Sequence, residues 1–225
     1  MAMQDRAIRT RRKILEAAAS VFGERGYQAA TIADILSTAG VTKGALYFHF
    51  ASKEQLAQGV LRAQEGQDPV PSRTCKAQEL VDMVMVYVHR LQTDSMVRAG
   101  VWLALNQQAA DLDRSGPFLT WSETLTELLE AAREQGELLP HVKPAETARV
   151  IVGAFAGVQA MSQTLSDYAD LGERIAELLR HILPNVVISS VLASVALDGD
   201  RGTKVSAEIA AEAETDGQRL ETVGG

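Results

Sequence analysis

Apolar residues recur at helical spacing in one segment after another between residues 6 and 183, and no alternating run is long enough to make a sheet. A stripe of that period buries itself only as one face of an amphipathic helix. Arg6–Phe22 carries Ile14, Leu15, Ala18, Val21 and Phe22, with Gly23 and Gly26 expected to end it. Thr31 precedes Ile32, Ile35, Leu36 and Ala39, and Asp34 completes an approximate capping box in which Glu or Gln is the usual partner. Gly40 ends that helix, Thr42 is expected to cap Lys43–Phe48, and Ser52 with Gln55 opens a fourth helix running to about Gln64. Asp68-Pro69-Val70-Pro71 is a natural joint. Beyond it come stripes over Leu80–Leu91, Met96 to about Gln108, Pro117 to Gly136, Pro144 onward and Leu171–Leu183, with Val186–Leu197 as a further short helix after Pro184. The residues after Asp198 hold few large apolar side chains and read as a disordered tail. The expected fold class is all-α.

The charge is uneven. The chain carries −7 in total, but residues 1–62 are +4 and the remainder −11. That asymmetry fits a small basic module that meets a polyanion, joined to an acidic body with another task. The single cysteine, Cys75, excludes an intramolecular disulfide and a Cys-based zinc site. His89, His141 and His181 are far apart and none has a second ligand at helical spacing, so no metal is expected; Glu137, His141 and Glu146 read as loop residues. No nucleophile elbow, phosphate-binding loop or dinucleotide turn is present, so neither an enzyme nor a cofactor is expected. The charged N-terminus has no apolar leader and no stretch of about 18 uncharged apolar residues exists, which makes a cytoplasmic protein without membrane contact the expectation.

Residues 6–53 carry the chemistry. Two short helices joined by a Gly-containing turn fit a helix-turn-helix, whose second helix enters the DNA major groove. Thr42, Lys43, Tyr47 and His49 offer donors for phosphate or base edges, and Gly44 lets the backbone approach. Leu46 and Phe50 face inward, and Phe48 reads equally as core or as a phosphate-side contact. Arg9 and Arg11, with Arg6, Arg12 and Lys13, suit phosphate contacts or a plain solvated face, and Thr31 and Lys53 complete the expected DNA-binding set.

The segment Arg11–Phe22, Gly26-Tyr27, Thr31–Ile35, Ala39-Gly40-Val41 and Lys43–Phe50 followed by Lys53-Glu54 and Leu56 resembles the TetR family of bacterial transcriptional repressors. Pro117-Phe118, Trp121, Gly136–Val142, Val152–Phe155, Gly157-Val158-Gln159, Asp170-Leu171 and His181–Pro184 further resemble the γ-butyrolactone autoregulator receptors within it. The two resemblances span about residues 6–184. They imply a helix-turn-helix DNA-binding domain, taken as residues 1–52, and a helical ligand-binding and dimerisation body, taken as 53–197; the tail at 198–225, read from composition, is not covered by them. They also imply a homodimer on double-stranded operator DNA, released by a small diffusible ligand: a γ-butyrolactone, butenolide or furan, or an antibiotic if the chain is a pseudo-receptor or multidrug-type sensor. The resemblance places a ligand-binding tryptophan at Trp121 and a polar pocket residue at Gln64; residues 53–64 would be the lever between pocket and head.

A signal pocket needs apolar walls and a few convergent polar groups. Tyr87, Val88, Thr124, Leu125, Gln159 and Ser162 are candidates on otherwise apolar stripes, and Gln159 and Ser162 read equally as satisfied polar groups at a helix contact. The run Gly153–Gly157 with Ile175, Leu178, Leu179 and Ile182 suits a four-helix dimer interface or an intramolecular core.

Overall fold

A computed structural model describes residues 2–62, 70–105 and 112–223, and the side chains of 6–62, 70–105 and 112–215. The described residues form eleven α-helices: α1 (Ala2–Ala29), α2 (Ile32–Ala39), α3 (Lys43–His49), α4 (Lys53–Arg62), α5 (Lys76–Thr93), α6 (Ser95–Leu105), α7 (Gly116–Glu134), α8 (Pro144–Ser166), α9 (Leu171–Ile182), α10 (Ser189–Leu192) and α11 (Arg201–Val223). A 3-10 turn, Leu183–Asn185, follows α9, and among the described residues β pairing is limited to one antiparallel bridge, Leu138–Val187. The fold is all-α, as the periodicity requires.

The helices fall into two compact units. One holds α1–α4 and α6; the other holds α5 and α8–α11; α7 starts in the first and continues in the second from Thr120. The first unit thus extends past residue 52. Leu56, Ala57, Val60 and Leu61 of α4 and Leu103 of α6 are buried in the same core as Ile14, Ala18 and Phe22 of α1, Ile35 of α2 and Leu46 of α3. Charge and motif mark where a head begins; only packing shows how many helices are needed to bury it.

Within the first unit the local rules decide the turns. α1 runs through Gly23 and breaks at Gly26, whose φ of 79° and ψ of 158° leave the helix. Thr31 Oγ1 accepts the Asp34 backbone N–H at 3.2 Å, and Asp34 Oδ2 accepts the Thr31 N–H at 3.1 Å, so the capping box closes with Asp in place of Glu. The hydrogen bonds from Thr31, helped by Arg25 at 2.7 Å, hold the Asp34 carboxyl below the usual carboxylate range. Gly40 ends α2 in the left-handed conformation (φ 59°), where a Cβ would add strain, and donates its N–H to Leu36 O. Thr42 Oγ1 then caps α3 by accepting from Ala45 N.

The second unit is built around α5, whose residues Leu80, Val81, Val84, Met85, Val88 and Leu91 are buried. Glu137, in the turn after α7, accepts the backbone N–H groups of Lys76 (3.0 Å) and Ala77 (2.7 Å) and so caps α5. The residues expected to extend a helix over 186–197 hold only the single turn of α10, and Val187 before it pairs with Leu138 in the isolated bridge.

The tail expectation is corrected. Residues 201–223 form α11, packed along α5. Val205 is fully buried, and a Cβ at Gly202 would clash with the carbonyl oxygen of Met85. Glycine lets the two backbones approach. Charge does the rest: Asp82, fully buried on α5, accepts from Arg201 Nε at 2.7 Å and from Arg73 Nε at 2.8 Å, and Arg73 grips Glu208 of α11 through two bonds of 2.7 Å. Composition alone undercounts such a helix, since Val205 and an ion-pair network to residues far earlier in the chain hold it in place.

The turn from α8 to α9 supplies a pH test. Asp170 accepts hydrogen bonds from Ser162 Oγ (2.6 Å), Ser166 Oγ (2.7 Å) and Arg174 Nε (2.6 Å). These bonds, the serines' foremost, pull its carboxyl down to about 2. A depressed carboxylate pKa stabilises the fold above the unfolded value, and that contribution disappears as pH falls through the folded one. The wild type is therefore expected to lose urea resistance between about pH 4 and pH 2, and an Asp170→Asn chain to lose less over that window. Parallel losses in both would remove Asp170 as the cause.

Candidate DNA-reading surface and ligand site

The short helix α3 presents its polar face to solvent. Thr42, Lys43 and Gly44 are exposed, and Lys43 Nζ stands 5.9 Å above the Tyr47 ring. Tyr47 is 45% exposed and Phe48 80% exposed, its ring edge-on to His49 at 5.0 Å. Leu46 and Phe50 are buried on the opposite face and seat α3 on α1 and α4. Phe48, read equally as core or contact from sequence, is therefore turned away from the core. Arg9 is exposed, and the Arg11 guanidinium lies 5.1 Å over the Phe50 ring.

Members of the expected DNA set also make contacts within the fold, Thr42 through the α3 cap among them. Thr31 spends its hydroxyl on the α2 cap. Lys53 Nζ donates to Gln28 O at 3.2 Å and sits 4.6 Å over the Tyr27 ring, and partial burial lowers its pKa. The lysine ties the start of α4 to the end of α1, a contact 25 residues apart in sequence that no local pattern announces.

In the second unit, one aromatic cluster gathers several ligand candidates. The Tyr87 ring lies 4.7 Å from Trp121 and 5.5 Å from Phe155. Tyr87 and Val88 are buried on α5, and Leu125 is buried one turn after Trp121 on α7. Burial pushes the Tyr87 phenol well above its ordinary pKa. Gln159, one turn after Phe155 on α8, is 3% exposed, and its amide nitrogen has no hydrogen-bond partner among the described residues. Phe155 was not singled out from sequence as a site residue; its spacing of four before Gln159 was the available signal.

The remaining candidates divide. Thr124 Oγ1 donates to Thr120 O at 2.9 Å, and Ser162 Oγ to Asp170, so both hydroxyls are engaged within their own helices and turns. Gln64 lies outside the described residues. The expected dimer stripe on α9 is corrected in part: Ile175 and Leu179 are fully buried in the chain's own core, Leu178 and Ile182 half-buried. The exposed apolar row lies on α8 instead, where Val150, Met161 and Leu165 are more than half exposed alongside exposed Gly153 and Gly157.

A capped two-helix reader with its polar face to solvent, in a chain that continues as a helical body, defines a helix-turn-helix DNA-binding regulator. This chain belongs to the TetR family of bacterial transcriptional regulators, a non-enzymatic family. Residues 14–60 match the family described as "Bacterial regulatory proteins, tetR family". The chain is 39% identical to the A-factor receptor protein of Streptomyces griseus over 220 residues, 98% of this chain and 79% of that one. Its fold is similar to the TetR regulator TylP from Streptomyces fradiae (TM-score 0.84, 42% identity, covering 91% of this chain and 99% of that one). It is also similar to the crystal structure of a gamma-butyrolactone receptor (ArpA like protein), with TM-score 0.66 and 27% identity over 92% of this chain and 99% of that one. Among the described residues no helix is long and apolar enough to cross a membrane.

Proposed function

We propose that this regulator is a repressor of antibiotic or secondary-metabolite genes, released from a pseudo-palindromic operator by a small diffusible signal of γ-butyrolactone, butenolide or furan type. The observation that carries the ligand half is the cluster of Tyr87, Trp121 and Phe155 with a buried, unpartnered amide one turn away: apolar walls and a sparse polar group are what a small lipophilic signal needs. Similarity to the A-factor receptor and to a gamma-butyrolactone receptor supports the same class.

The exposed α8 row supports a homodimer, since a contiguous apolar face on a single chain calls for a partner. Two heads related by a twofold axis read two half-sites about 34 Å apart or a multiple of that. Release requires that the ligand bind the form unable to hold DNA better than the DNA-bound form, because equal affinity shifts nothing.

The test is a gel shift on the DNA flanking the gene, titrated with a synthetic γ-butyrolactone. Specific binding with release supports the reading. Specific binding that only an antibiotic reverses makes the chain a pseudo-receptor, and absence of specific binding overturns the operator reading. In the same assay a Lys43→Ala chain is expected to bind more weakly and with a log–log salt slope shallower by about one unit, since one phosphate contact is lost. An unchanged slope would place Lys43 on a base edge or off the DNA.

A further inference from the structure

We infer that Gln159 is the specificity residue of the ligand site: its amide N–H groups donate to a carbonyl oxygen of the signal, so the site selects a neutral, acceptor-bearing ligand over an equally lipophilic one without the carbonyl. This rests on the ligand-released reading above and names the polar contact within it.

The argument starts from a cost. A buried donor without an acceptor loses its water and gains nothing, and folded proteins leave few such groups unexplained. Gln159 is 3% exposed and its Nε2 has no partner among the described residues. Ser162, three residues on along the same buried stripe of α8, shows the contrast, because its hydroxyl is satisfied by Asp170 at 2.6 Å. Gln159 follows Phe155 by four residues, which puts the two side chains on one helix face. Phe155 is 5.5 Å from Tyr87, which is 4.7 Å from Trp121. A neutral amide donor beside aromatic and aliphatic walls suits an uncharged oxygen acceptor. In a dry site a missing acceptor is penalised far more than a missing methylene, and this makes one amide an effective filter.

The experiment uses the full chain on its operator, with two probes: a 2-alkanoyl-γ-butyrolactone and the matching alkyl tetrahydrofuran, from which both carbonyl oxygens are removed. The wild type is expected to need at least ten-fold less lactone than tetrahydrofuran for half-release. A Gln159→Met chain is expected to hold the operator like the wild type, to need at least ten-fold more lactone than the wild type, and to respond to the tetrahydrofuran as the wild type does. The same cycle gives the coupling between amide and carbonyl. A Gln159→Met chain that responds to lactone at wild-type concentrations overturns the assignment and leaves a bound water as the amide's partner. If that variant fails to fold, the two-probe comparison in the wild type decides alone: equal half-release concentrations overturn it. A wild type that ignores the lactone while binding its operator overturns the receptor reading, and this inference with it.

Discussion

An Asp82→Ala chain is expected to be about 3 kcal/mol less stable than the wild type, at the lower end of what removing one partner of a buried ion pair costs. Asp82 is fully buried and accepts from Arg73 Nε (2.8 Å), Arg201 Nε and Nη2 (2.7 and 2.8 Å) and Gln78 Nε2 (2.6 Å). Burial alone would raise its carboxyl pKa; the bonds from Arg201, Gln78 and Arg73 outweigh that and hold it below the usual range. Without the carboxylate, Arg201 loses both of those bonds, while Arg73 keeps Glu208. Both guanidiniums are about one-fifth exposed, so water softens the loss, which is why the lower end is expected. Urea unfolding measures the total, and limited proteolysis after Arg201 reports whether α11 comes away first. A loss under about 1 kcal/mol would put the network in the class of screened surface pairs. Asp82→Asn, which keeps the shape and one acceptor, is expected to fall between.

The second large effect concerns Trp121. A Trp121→Ala chain is expected to bind the operator normally and to need about a hundred-fold more lactone for release. An indole presents about 150–250 Å² of contact surface. Losing roughly half of that against a ligand, at about 25 cal/mol per Å², is worth about 2–3 kcal/mol, or nearly two decades in affinity. The half-buried indole stands 4.7 Å from Tyr87, so its removal also opens the cluster to water. The fold should survive, since Leu125 and Leu129 still anchor α7 from buried positions. Trp121→Phe is expected to recover part of the response. Release at wild-type ligand concentrations in the alanine chain would mean that Trp121 is a packing residue.

Much of the reader was legible because it is made by contacts three or four residues apart. The Thr31–Asp34 cap, the left-handed Gly40 and the Thr42 cap follow from residue type and spacing, and the inward pair Leu46 and Phe50 follows from helical period. The same period could not settle Phe48, since a phenyl group is apolar whether it packs or waits for a partner; only the direction of α3 on its core shows that it faces out. Nor could it separate Lys43 from Lys53. Both are basic residues in one motif, but Lys53 reaches back to Gln28 and Tyr27. In the body, Ser162 and Gln159 looked alike three residues apart on one stripe, and a turn that brings Asp170 to one of them makes them opposites.

By itself, then, the sequence determined the all-α class, the helix-turn-helix and its caps, and the division of charge between a basic reader and an acidic body, because each is set by residue type and short-range spacing. Tertiary structure decided where the cores close: that α4 and α6 complete the first unit, that Ile175 and Leu179 turn inward while α8 keeps an apolar row outside, and that residues after Asp198 form a helix. The helix after Asp198 shows the physical reason most plainly. Arg201 and Glu208 carry no signal of order in a polar stretch. They acquire one when Asp82 and Arg73, more than a hundred residues earlier, meet them in a partly dry setting where an unpaired charge is costly.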